Sequence, residues 1–150
     1  MGQSLSKVYL HIVFSTKNRH PFITTDIRDE VHKYLGGVAK QHDSSALMVG
    51  GVADHIHMLC VLNRTQSQSS LLMEIKRASS LWIKQRFKHM NQFAWQGGYG
   101  AFSVDPSNLD AVIAYIKNQE EHHRVRTFQE EYRLIMTRYK VEWDEKYVWD

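Results

Sequence analysis

The sequence predicts an α+β fold of the ferredoxin-like, RNA-recognition-motif-like kind: a βαββαβ antiparallel sheet with helices on one face, plus a further C-terminal helix. Three observations carry that expectation. Four short runs rich in β-branched and aromatic residues read as strands. Two runs with apolar residues at helical spacing fall between them, and a third helical pattern follows the last strand. With 150 residues, 43% of them hydrophobic and only 2 prolines, the chain (1–150) has the length of one domain with a real core.

The elements follow in chain order. "KVYLHIVFST" (7–16) reads as a strand and "STKNRHPF" as a basic loop with Lys17, Arg19 and His20. From Thr25 to about Gln41, Ile27, Val31, Tyr34, Leu35 and Val38 share a helical face, with Gly36 and Gly37 weakening the helix or allowing close packing. "SALMVGG" and "HIHMLCVL" are two strands joined by a Gly-containing turn. "SQSSLLMEIKRASSLWIKQRFK" is an amphipathic helix with Leu71, Ile75, Ala78 and Trp82 inward and Arg77, Ser80, Lys84 and Lys88 as a polar stripe. "GYGAFSV" (98–104) is the fourth strand. Ser107, three residues before Asp110, reads as a capping box for a helix through Leu109, Val112, Ile113 and Ile116.

Composition excludes some classes. The lone Cys60 rules out an internal disulfide framework and a thiolate-rich zinc site. No apolar run reaches membrane-spanning length and no apolar leader precedes the first strand, so the expectation is a bacterial-type cytoplasmic protein with no membrane partner. A formal charge of +3 permits a nucleic-acid partner without demanding one.

The chemistry-bearing residues are few. His55 and His57 stand two apart on a strand, so they share a face with Cα atoms roughly 6–7 Å apart. Such a pair either faces solvent or supplies two legs of a metal site, and a ligand face of that kind is expected to carry little core burial. His11 is either a third leg or a packed core residue; His122 and His123 read as surface. Tyr115 and Gln119, four apart, share one face of the final helix, which suits rim packing or a reactive phenol. Candidate nucleic-acid contacts are Lys17 and Arg19 in the basic loop, Lys76 and Arg77 on the second helix, and Trp95 and Tyr99 around a Gly-rich loop where an unpaired base could stack. Solvated charge and core packing are the competing readings of these six.

"DHIHML" resembles the His-hydrophobic-His motif of the single-tyrosine HUH nucleases. With "FSTKNRHPF", "IKRASS", "WQGGYGAFSV" and "YIKNQ", the chain looks like the small TnpA-like transposases of the insertion-sequence 200/605 group, including the host-adopted, repeat-associated tyrosine transposases. The resemblance extends to the terminal "EEYRLIMTRYKVEWDEKYVWD" and implies a set of roles. His55, His57 and Gln119 would hold a divalent metal ion, Mg2+ or Mn2+. Tyr115 would attack single-stranded DNA bearing hairpins, leaving a 5′-phosphotyrosine and a free 3′-hydroxyl. The working unit would be a homodimer with active sites shared between subunits. Two imidazoles and an amide suit zinc or manganese better than magnesium on ligand preference alone. The connection "SVDPSN" departs from the family's glycine-containing hinge, so exchange of the tyrosine helix between dimer arrangements is less expected than cleavage. Two other readings stand beside this one: a non-catalytic single-stranded nucleic-acid-binding module, and a hydrolytic metalloenzyme in which Tyr115 is incidental.

Overall fold

The computed structural model describes residues 2–150. Strands β1 (Tyr9–Ser15), β2 (Ala46–Gly51), β3 (His55–Val61) and β4 (Gly100–Ser103) form one antiparallel sheet in the order β2-β3-β1-β4. Helix α1 (Thr25–Gln41) joins β1 to β2, and α2 (Gln68–Arg86) joins β3 to β4. Three more helices follow β4: α3 (Leu109–Lys117), α4 (Gln119–Val125) and α5 (Phe128–Arg138). Among the described residues no helix is long and apolar enough to cross a membrane.

Strand alternation divides the sheet's side chains between two faces. On the first, Ile12 and Phe14 of β1 and Ile56, Met58 and Cys60 of β3 meet Val31 and Leu35 of α1 and Leu71, Leu72, Ile75 and Ile83 of α2. Each such side chain, fully removed from water, contributes about 1.5–3 kcal/mol. Trp82, expected inward, sits half-buried at the seam, its ring stacked 4.3 Å from Tyr34. The second face carries His11 and Val13 of β1 and His55, His57 and Leu59 of β3, and α3 to α5 cover it.

Two glycines explain how those helices come so close. Gly50, His57, Val13 and Gly100 form one row across β2, β3, β1 and β4. A Cβ on Gly50 would lie 2.5 Å from the Ile116 carbonyl oxygen of α3. A Cβ on Gly100 would collide with the ring and hydroxyl of Tyr132 on α5. Glycine on either side of His57 thus lets α3 and α5 descend onto the sheet around it.

Two local expectations are corrected. The final helix does not carry Tyr115 and Gln119 together: α3 ends at Lys117, Asn118 leaves helical geometry at φ −98 and ψ 29, and Gln119 opens α4. The Ser107–Asp110 capping box does not form. Instead Asp105 accepts from Ser107 N at 3.1 Å, with Pro106 opening a short 3-10 turn ahead of α3. The apolar tail packs partly on its own chain, where Phe128, Tyr132 and Met136 join Val13 and Phe102 in a second cluster and Val148 and Trp149 flank it. Gly98 N donates to the Asp150 carbonyl at 2.9 Å, which fastens the tail to the loop before β4.

Candidate active site

His55 and His57 point from β3 into the space under α3, α4 and α5, and both are fully buried. The expectation of a lightly buried ligand face therefore fails, because the C-terminal helices roof the histidines. Asp54 Oδ1 accepts from His55 Nδ1 at 2.7 Å. In the neutral ring this leaves the Nε2 lone pair facing Gln119 Oε1 at 3.2 Å and Glu131 Oε1 at 3.7 Å. Gln119 Oε1 and Glu131 Oε1 thus face the same ring nitrogen.

Glu131, on α5, is the centre of the cluster and was not anticipated. Its Oε1 accepts from His57 Nε2 at 2.9 Å, and its Oε2 accepts from the Tyr115 hydroxyl at 2.5 Å and from His123 Nε2 at 3.2 Å. Burial alone would push this carboxyl up, but the hydrogen bonds from His123, His57 and Tyr115 outweigh it and hold Glu131 far below the usual carboxylate range. Burial first, and then the Glu131 charge, push the Tyr115 phenol well above its ordinary value. His57 is lowered to about 4, chiefly by burial. His11 is lowered to about 3, by burial first and then by His57.

The other groups fall around this core. His11 Nε2 lies 2.8 Å from His57 Nδ1, behind the ring, so His11 is not a third leg facing Glu131. Gln119 is buried, and its Nε2 donates to the Tyr115 carbonyl at 3.2 Å across the helix break. His123, expected on the surface, has a side chain only 12% exposed and reaches Gln119 Oε1 at 3.1 Å. Burial would lower it, but Glu131 outweighs that and leaves it raised. His122 packs its ring 4.6 Å from that of Tyr115.

These donors suit a divalent cation. The facing atoms of His55, His57 and Glu131 all lie within 4.8 Å of one another. Donors bound at about 2.1 Å stand roughly 3.0–3.4 Å apart around an octahedral or tetrahedral ion. The Glu131 carboxylate shifts the set towards harder cations than two imidazoles and an amide would take.

The candidate DNA contacts divide into committed and free groups. Lys76 donates to the Gln96 carbonyl at 2.9 Å and the Gly98 carbonyl at 2.5 Å, and burial lowers it to about 8. Trp95 is a core residue whose Nε1 donates to Ser79 Oγ at 2.9 Å. Tyr99 packs beside Lys76. Arg77 is exposed and paired with Glu74 at 2.7 Å. Lys17 is exposed, while Arg19 lies 5.8 Å above the Trp149 ring.

Residues 4–119 match a protein family described as transposase IS200 like. Over 120 residues, covering 77% of this chain and 78% of the relative, the sequence is 31% identical to the transposase for insertion sequence element IS200 of Salmonella typhimurium. The Salmonella typhi transposase for the same element matches equally. A candidate transposase from Deinococcus radiodurans has a similar solved fold, with TM-score 0.65 and 22% identity over 79% of this chain and 96% of that one. A REP-associated tyrosine transposase bound to a REP hairpin is also similar, with TM-score 0.60 and 14% identity over 82% of this chain and 73% of that one.

Proposed function

This chain belongs to the IS200-like transposase family, and from that premise we propose that residues 1–150 act as one nuclease domain that cleaves and rejoins single-stranded DNA through a 5′-phosphotyrosine. The observation that carries the reading is the meeting of the Tyr115 hydroxyl with Glu131, which also touches His57 and faces His55. Tyr115 Oη loses its proton as it attacks the scissile phosphorus in line, the P–O3′ bond breaks, and the departing 3′-oxygen takes up a proton, leaving a 3′-hydroxyl that can later reverse the exchange. As the site stands, burial and the Glu131 charge keep that phenol protonated. His55, His57 and Glu131, with Gln119 beside them, would hold a divalent ion, Mg2+ or Mn2+, which when bound would supply positive charge to offset Glu131 and polarise the phosphate.

A hairpin-bearing strand is the proposed substrate, by analogy with the REP-associated relative. Lys17, Arg19, Arg77 and Tyr99 are the contacts offered to it, whereas Lys76 and Trp95 are engaged inside the protein. Convergence of Tyr115 and the histidines within one chain favours a self-contained site over the shared-site homodimer that the resemblance implied. Action in the cytoplasm follows from the proposed substrate.

The test is an adduct assay with a labelled hairpin-bearing oligonucleotide and Mn2+. Wild type is expected to become covalently attached, and Tyr115→Phe is expected to bind DNA without attachment. Attachment by Tyr115→Phe would discard the nucleophile. DNA binding with no attachment by either protein would favour the non-catalytic module.

A further inference from the structure

We propose that His11 is a positioning residue: it holds the His57 ring from behind and exchanges donor and acceptor roles with it, so that His57 can turn a lone pair towards a cation. The proposal rests on the reading of His57 as a cation ligand given above.

The two histidines of the pair are supported differently. His55 Nδ1 is held by the Asp54 carboxylate at 2.7 Å, and a carboxylate only accepts. His55 is thereby kept with its proton at the rear and its lone pair forward. His57 Nδ1 is held by an imidazole, His11 Nε2, at 2.8 Å, and an imidazole can donate or accept according to its tautomer. At its other end His57 Nε2 faces Glu131 Oε1 at 2.9 Å and donates to it. In the neutral ring His57 Nδ1 then accepts, and His11 Nε2 carries the bridging proton. Cation binding at His57 Nε2 demands the reverse: the Nε2 lone pair is free, Nδ1 carries the proton, and His11 Nε2 accepts it. His11 then bears its own proton on Nδ1. The bridging proton passes from His11 Nε2 to His57 Nδ1, the His57 Nε2 proton leaves to solvent as the cation enters, and His11 Nδ1 takes one up from solvent, so two protons are present before and after and the pair keeps its charge.

A packing role alone does not explain the residue. His11 is 6% exposed and stands between the strand neighbours Leu59 and Phe102, where Phe would fill the space without a polar group to satisfy. Its ring is inclined only 29° to that of His57 with centroids 5.0 Å apart, so the two rings lie edge to edge along the hydrogen bond.

The experiment uses the full chain without DNA. Mn2+ affinity is measured by titration calorimetry for wild type, His11→Phe and His11→Gln, with thermal unfolding alongside. His11→Phe keeps an aromatic ring but no hydrogen bond, and Mn2+ binding is expected to weaken about 10–100-fold. His11→Gln places both an acceptor oxygen and an NH2 donor at the reach of Nε2, and is expected to restore most of that affinity. Unchanged affinity in His11→Phe overturns the proposal, as does an equal loss in both variants. Failure of wild type to bind Mn2+ is a different result, which removes the cation reading of the site itself. Should His11→Phe fail to fold, long-range 1H–15N correlation spectra of wild type decide the matter. Added Mg2+ is expected to move the His57 proton from Nε2 to Nδ1, and a His57 that keeps it on Nε2 at saturation overturns the proposal.

Discussion

The first face of the sheet, under α1 and α2, is closed by Ile12, Phe14, Ile56 and Met58 against Val31, Leu35, Leu71 and Ile75. The second face of the same strands is buried as deeply, yet at its centre lie His11, His55, His57, Gln119 and Glu131. On the first face side-chain volume seats the helices. On the second, missing side chains do so, at Gly50 and Gly100, and hydrogen bonds replace volume at the centre. Equal burial therefore has opposite consequences: changes on the first face should cost stability, and changes on the second should cost chemistry.

The strongest test uses neighbours that point to opposite faces, His57 and Met58. His57→Asn removes the nitrogen facing Glu131 and is expected to lower DNA attachment more than about 100-fold, beyond the usual loss for a merely supporting partner. Met58→Leu conserves volume, should cost less than about 1.5 kcal/mol in urea unfolding and should leave attachment intact. Comparable attachment by the two variants would erase the distinction between the faces. The same attachment assay tests whether a site is contained in one chain. Tyr115→Phe and His57→Asn chains, mixed after subunit exchange, should not complement one another, and recovered attachment would restore the shared-site homodimer.

The two faces also differ in how much of them was legible in the sequence. Periodicity placed α1 at Thr25–Gln41, where it lies, and both central strands, because apolar spacing records burial against a simple core. The His-x-His pair was legible as a same-face pair for the same geometric reason. Tyr115 and Gln119 were expected on one helix, but a period of 3.6 residues does not reveal a break at Asn118. Glu131 was missed, although a signal existed: it shares helical spacing with Phe128, Tyr132 and Ile135, a carboxylate on an apolar stripe. His123 was read as surface because neither its spacing nor its neighbours show that α4 turns back to the sheet.

Acid should weaken the second face more than the first. His57 and His11 have folded values near 4 and 3, below the ordinary 6.5. Above 6.5 neither state holds an extra proton. Below it the unfolded chain takes up protons that the native rings refuse, so stability falls with pH, by up to about 1.4 kcal/mol per unit for each ring. His123, raised in the native state, works in the opposite sense and offsets part of this. A net loss on the order of 1 kcal/mol per pH unit is expected between 6.5 and about 4, read as a falling urea midpoint. Below 4.5 the depressed Glu131 adds to the loss. His32 on α1 is also lowered, to about 4, chiefly by burial, so His32→Gln is the control. It should remove about one ring's share of the slope, whereas changing His11 and His57 together should remove about two. A slope that follows His32 would place the acid sensitivity under α1 instead.

The smallest effects come from two glycines, and their signs differ. Gly37 lies inside α1 with nothing within 4 Å of a built Cβ. Gly37→Ala removes freedom from the unfolded chain and clashes with nothing, so it should raise stability by about 0.4–1 kcal/mol and leave DNA attachment unchanged. Gly50→Ala meets the Ile116 carbonyl at 2.5 Å, and backbone cannot swing aside as a flexible side chain can. Helix α3 must lift from the sheet, at about 1–3 kcal/mol. Tyr115 directly precedes Ile116, so the same displacement moves its hydroxyl away from Glu131, and attachment should fall further than the stability loss alone explains. Urea midpoints and attachment rates for the two variants give the comparison. If Gly50→Ala unfolds and reacts like wild type, α3 is not seated by that close approach, and the second face is packed by volume after all.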